Sequence, residues 1–128
     1  EHPYSANLNN LAMVYLSEKN ISKTKETLQK AIATGDNFTV YENYANFLLY
    51  YGTPIETADF AQKALKKFPN NAKLWTILAF ADSLQGDSKG ALQAAAKAYQ
   101  LEPDGTPEKI YSELRQGHNL KLPKLPTQ

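Results

Sequence analysis

The chain has 128 residues, 42% of them apolar and none of them cysteine. That suffices for one domain with a single continuous core, and it excludes disulfides, thiolate metal sites and cysteine nucleophiles together. Net charge is +1, with Arg115 the one arginine among 14 basic residues, so no field selects nucleic acid or an anionic membrane as partner.

Near the start, Leu8, Leu11, Ala12 and Tyr15 are spaced i, i+3, i+4, i+7, as one helical face requires. A second helix from about Ser22 places Thr24, Leu28, Ala31 and Ile32 on one side. Gly35 is expected to close it in the left-handed conformation. From Phe38 a third helix carries Tyr41, Tyr44, Phe47, Tyr50 and Tyr51 and breaks at Gly52. Most of these rings belong in a core, but Tyr50 and Tyr51 cannot both face inward. Thr53-Pro54-Ile55-Glu56 then starts a fourth helix. Threonine caps, proline stands where its missing N–H does no harm, and Glu56 is placed to reach back as a capping box.

Phe68-Pro69-Asn70-Asn71 stops that helix and starts the next, which turns at Gln85-Gly86-Asp87. The helix after the turn is alanine-rich (Ala91, Ala94, Ala95, Ala96, Ala98). Such residues favour helix, and their small size predicts the closest helix approach in the chain. After Gly105, Thr106-Pro107-Glu108 repeats the cap-and-proline start and leads a short helix to about Gln116, stopped by Gly117. Its narrow stripe of Ile110, Tyr111 and Leu114 reads as a capping helix, about 107–116, that shields the end of a stack. Residues 118–128, with Leu120, Leu122 and Leu125 among Pro123 and Pro126, read as an extended tail, either lying on the last helices or disordered.

These elements are one pattern stated three times. Leu8-x-x-Leu11-Ala12-x-x-Tyr15 aligns with Tyr41-x-x-Tyr44-Ala45-x-x-Leu48 at an interval of 33, and with Trp75-x-x-Leu78-Ala79-x-x-Asp82 after 34 more. Ala31, Ala64 and Ala98 follow in turn, and Pro69 and Pro103 close the second and third units. A period near 34 marks helix pairs that cannot bury their apolar faces alone. Units over about 5–37, 38–71 and 72–105 therefore stack into an all-α solenoid, an architecture that works by presenting a surface.

The pattern resembles the tetratricopeptide repeat. Trp75, Leu78, Ala79, Gly86, Ala91, Ala98 and Pro103 of the third unit fall in register with its signature, as do Tyr41, Tyr44, Ala45, Gly52, Ala64 and Pro69 of the second. The first unit keeps Leu8, Leu11, Ala12, Tyr15 and Ala31 but has Lys19 in place of the glycine and Asp36 in place of the proline. Its Leu8-Asn9-Asn10-Leu11-Ala12 is also similar to repeats of the kinesin light chain type. The resemblance covers roughly four-fifths of the chain. It implies a right-handed helical-hairpin solenoid of three repeats with a C-terminal capping helix, 1–117 in all. In the family, leading helices line a concave groove that holds an extended peptide or a partner helix.

Carried onto this sequence, the groove presents Ala6, Asn9, Asn10, Met13, Leu16 and Ser17, then Thr39, Glu42, Asn43, Asn46, Leu49 and Tyr50, then Lys73, Thr76, Ile77, Phe80, Ser83 and Leu84. The candidate partner-binding residues are Asn9, Asn10, Met13, Asn43, Asn46, Tyr50, Lys73 and Phe80. A primary amide both donates and accepts, which suits the backbone of an extended peptide. Asn10 and Asn43 share one register and are expected to stack as two rungs. Met13, Leu49, Tyr50 and Phe80 would supply apolar pockets, the methionine adapting its shape. Some family members clamp the C-terminal carboxylate of chaperones with lysine, asparagine and arginine. Here Asn43 and Lys73 match, but Asn9 stands for the lysine, Met13 for an asparagine and Ile77 for the arginine, with Glu42 near Lys73 in register. The expected ligand is a protein or peptide of neutral or mixed charge.

Asp82 interrupts the buried stripe where an aromatic belongs. An unpaired buried carboxylate is costly, so Asp82 is expected to be partly exposed near the end of the stack, or partnered by Tyr111 or Ser112, the functional alternative being a contact point for a next domain. His2 and His118 stand near opposite ends with no His-x-x-x-His pair, so neither metal nor cofactor is expected. No nucleophile arrangement, Gly-x-Gly-x-x-Gly or Walker sequence appears, and Lys63, Lys66 and Lys67 read as a solvated outer face. No window approaches the roughly 18 apolar residues of a membrane-spanning helix. The lack of cysteine fits a reducing cytosol and a bacterial periplasm alike. Glu1 in place of methionine reads as the start of a segment from a longer protein.

Together these features predict a non-enzymatic interaction module. The alternatives are self-assembly, through the tail or the first helix, and an accessory scaffold of a larger enzyme such as a membrane-bound transferase.

Overall fold

The apolar stripes become helices α1 (Pro3–Ser17), α2 (Ile21–Thr34), α3 (Phe38–Tyr51), α4 (Pro54–Lys67), α5 (Ala72–Leu84), α6 (Ser88–Leu101) and α7 (Thr106–Arg115). The structure, a computed structural model, describes residues 3–125; Glu1, His2 and residues 126–128, with Pro126, lie outside the described residues. No strand occurs among the described residues.

Short polar side chains set the helix starts. Asn20, Asn37, Thr53, Asn71 and Asp87 each accept a first-turn backbone N–H, at the heads of α2 to α6. Glu56, expected to complete a capping box, instead meets Lys25 Nζ of α2 at 2.7 Å, because stacking brings a cation of the preceding pair to the carboxylate. That hydrogen bond holds the Lys25 ammonium above its ordinary range. At α7 no side chain caps; Thr106, expected as the cap, is already the first helical residue after Gly105. Of the turns, Gly86 is left-handed at φ 82 and Lys19 takes the corresponding place in the first pair at φ 60. Gly35, expected to be left-handed, is extended at φ 170.

Consecutive helices form hairpins, and α1, α3 and α5 pack side by side as a row. Packing is most extensive between α5 and α6, where Ala91, Ala94, Ala95 and Ala98 are all buried. Between α3 and α4 the contact is aromatic: Tyr41 stacks on Phe60 at 5.8 Å, and Tyr44 meets the same ring edge-on at 4.7 Å. Tyr44 Oη also accepts Gln29 Nε2 of α2 at 3.1 Å.

The expected single core is two clusters. One gathers Leu8, Ala12, Leu28, Val40 and Phe47, the other Leu65, Leu74, Leu78, Ala95 and Ile110, and Ile32 and Phe60 touch both. Leu11, expected in the core, is exposed together with Val14. Its counterpart Tyr44 is covered by α2 of the preceding pair and by α4, whereas among the described residues α1 packs mainly on α2 and α3. Beyond α7 the chain turns back across α5. Leu120 is buried in the second cluster, and Leu122 packs against it.

A candidate partner-binding cleft

Two i, i+3, i+4 sets face each other across the row of leading helices. From α3 come Asn46, Leu49 and Tyr50, and from α5 come Lys73, Thr76, Ile77 and Phe80. Thr106 and Pro107 of α7, Glu102 and Pro123 close the remaining sides of a cleft of about 310 Å³, at the small end of the roughly 300–1,000 Å³ usual for ligand pockets. Its floor is apolar, since Leu49, Ile77 and Phe80 are buried; Asn46, Lys73, Glu102 and Thr106 form an exposed polar rim. The Thr76 hydroxyl is spent on its own helix, donating to the Ala72 carbonyl at 2.9 Å.

Of the eight residues singled out in sequence, Asn46, Tyr50, Lys73 and Phe80 are brought together here. Phe80, expected to be an open anchor, lies mostly covered and also borders a second hollow beneath His118–Lys121. Tyr50 is half-buried, and burial pushes its hydroxyl up, so at neutral pH it is a donor; it gives its proton to the Pro123 carbonyl at 2.9 Å. Tyr51 takes the opposite course, exposed and stacked on Phe47 at 5.3 Å.

Asn9, Asn10, Met13 and Asn43 lie outside the cleft, toward the α1 end. The expected Asn10–Asn43 rung is replaced by its neighbour: Asn43 Nδ2 donates to Asn9 Oδ1 at 3.1 Å, while Asn10 is exposed. Stacked helices are staggered and rotated, so the residue in sequence register is not the nearest in space. Met13 packs against the first cluster and is therefore committed to the fold. Glu42 accepts Asn71 Nδ2 at 2.7 Å.

Sequence reasoning missed Glu102, Thr106, Pro107 and Pro123. A signal for one was present: Pro107 stands 34 residues beyond Lys73, so carrying the period one unit further places α7 at the cleft.

Asp82 is also placed differently from expectation. It is buried, 8% exposed, and faces the first turn of α6; a methyl at Gly90 would stand 3.0 Å from Asp82 Oδ2. Neither suggested partner serves it: Tyr111 stacks on Tyr99 at 5.3 Å, and Ser112 Oγ accepts Gln116 Nε2 at 3.2 Å. Burial, with the Asp87 charge beside it, raises the carboxyl from 3.8 to about 6.

Among the described residues no group of three or more His, Asp or Glu could hold a metal ion, and no helix is long and apolar enough to cross a membrane.

No protein-family model and no curated protein matches the chain. Solved structures do. The Sgt2 TPR domain from Aspergillus fumigatus is similar with a TM-score of 0.80 at 22% identity, over 91% of this chain and 80% of that one. The first TPR of Spaghetti (RPAP3), bound to the HSP90 peptide SRMEEVD, gives 0.80 at 12% identity, over 88% and 91%. The Arabidopsis OM64 TPR domain gives 0.79 at 23%, over 88% and 95%. With the three-fold sequence pattern and the stacked hairpins, these likenesses fix the architecture: this chain has the fold of a tetratricopeptide-repeat domain.

Proposed function

We propose that the chain is a protein-interaction module that captures an extended peptide across α3 and α5. The observation that carries this reading is the cleft itself, an apolar floor of Leu49, Ile77 and Phe80 under a polar rim. Apolar lining with a few convergent polar groups is the usual composition of a binding pocket. Beyond its rim the Asn9–Asn43 pair keeps N–H donors and a carbonyl with which to meet a peptide backbone.

The structural neighbour from RPAP3 holds an acidic peptide. Among the described residues Lys73 is the one cation bordering the cleft, and Glu102 stands on the same rim. An acidic ligand requires concentrated positive charge, so a neutral or mixed segment is the better fit.

Selection from a displayed random-peptide library tests the reading. Enriched peptides should bind the unmodified chain and lose at least about tenfold with Asn46→Arg or Thr76→Arg, changes on the cleft wall equivalent to about 1.4 kcal/mol or more. Lys63→Glu, on the outer α4, should leave them unaffected. Absence of any enriched sequence, or binding indifferent to both arginine changes, overturns the reading.

A further inference from the structure

The tail lies across the faces of α5 and α3 beside the cleft and walls it with Pro123. Past Gly117 the chain leaves α7, crosses α5 and reaches α3 within about six residues. It makes two backbone contacts on the way: the Leu120 N–H donates to Ser83 Oγ at 2.9 Å, and the Pro123 carbonyl accepts the Tyr50 hydroxyl at 2.9 Å. Between them Leu120 is buried, 7% exposed, and Leu122 is half-buried against the same cluster, while Lys121 points out to solvent. Alternation of buried and exposed side chains with backbone groups bonded to the surface is how an extended peptide reads a preformed face. Pro123 then forms part of the cleft wall. No part of this segment is helical.

We propose that residues 118–125 are an intramolecular ligand of the α3–α5 face, bound beside the cleft with Pro123 at its wall. Partners enter by displacing them with a segment of the same chemistry: extended, neutral to weakly basic, with leucines at alternate positions followed by proline. This deepens the proposed function and rests on it. The sequence of the tail, His-Asn-Leu-Lys-Leu-Pro-Lys-Leu, carries two lysines and no carboxylate side chain, which matches a rim without a cation cluster. The tether is short, so the tail competes at the millimolar effective concentration of a closed loop. A tail seated about nine times in ten leaves a tenth of molecules competent and raises the apparent dissociation constant about tenfold.

The probe is a fluorescent synthetic peptide of residues 118–125. It should bind the Leu120→Ser/Leu122→Ser double variant at least about tenfold more tightly than the unmodified chain. Leu122→Ser alone, which leaves the buried Leu120 in place, should fall between them, and adding Thr76→Arg should abolish the gain. Equal affinity for all three chains, or binding to none, overturns the proposal. Hydrogen exchange on the unmodified chain keeps the test independent of variant folding. Saturating a peptide selected from the library should speed exchange of the Leu120 amide at least about tenfold; an unchanged rate overturns displacement. A selected peptide that binds unmodified and tail-variant chains alike, yet is lost with Thr76→Arg, overturns this inference and leaves the proposed function standing.

Discussion

Replacing Asp82 by asparagine should stabilise the protein at neutral pH and do nothing in acid. Asp82 is 8% exposed against the first turn of α6, and burial with the Asp87 charge beside it raises its carboxyl from 3.8 to about 6. Between those values the folded chain holds a proton that the unfolded chain has released, so unfolding free energy falls as pH rises. The stability is fully present below about 3.8 and is gone once pH has passed about 6. A shift of about two units corresponds to about 3 kcal/mol. The remaining exposure and the favourable dipole of α6 reduce what the substitution recovers, so a gain of about 1–3 kcal/mol is expected above pH 7. Asparagine matches the shape and carries no charge. Urea unfolding followed by far-ultraviolet circular dichroism, from pH 3.5 to 8, provides the comparison. The difference between the two proteins should be near zero at pH 3.5 and grow through pH 4 to 6. A variant no more stable at pH 7.5, or an offset that ignores pH, would refute the burial argument.

Two further substitutions probe the backbone and the core. Lys19 holds φ 60, where a side chain costs about 1 kcal/mol or more; part of that is returned as glycine's unfolded-state entropy. Lys19→Gly should therefore raise the melting temperature, with a net gain of up to about 1 kcal/mol, and a lower melting temperature would contradict the strain. Leu74 is fully buried while Leu11 is 42% exposed. Leu74→Ala should cost about 2–5 kcal/mol in denaturant unfolding and Leu11→Ala no more than about 0.5 kcal/mol; similar costs would refute the assignment of the α1 surface.

The period was the legible part. Small residues at Ala12, Ala45 and Ala79 are all fully buried, and Pro69 ends α4 where its carbonyl accepts the Trp75 indole N–H at 2.8 Å. Such features are local or recur at a fixed interval, so one sequence displays them. What escaped depends on neighbours that no interval names. Leu11 looks identical in pattern to Tyr44 and Leu78, yet among the described residues a preceding hairpin covers the latter two and none covers Leu11. Asn43 finds Asn9 because adjacent helices are offset, a quantity set by side-chain packing. The depth of Asp82 follows from Gly90 on another helix leaving room for the carboxylate. The tail was readable as extended and apolar, but its seat between Ser83 and Tyr50 could be seen only once α5 and α3 lay side by side.

The division of the interior into two clusters joined through Ile32 and Phe60 has a mechanical corollary. In a linear stack each unit is steadied only by those beside it, so cooperativity is weakest where the fewest side chains are shared. The α1–α2 end can loosen as a unit while α5, α6 and α7 stay packed, because Leu78, Ala95 and Ile110 share one cluster. The molecule thus has a yielding end and a firmer end, and the cleft sits at the firmer one.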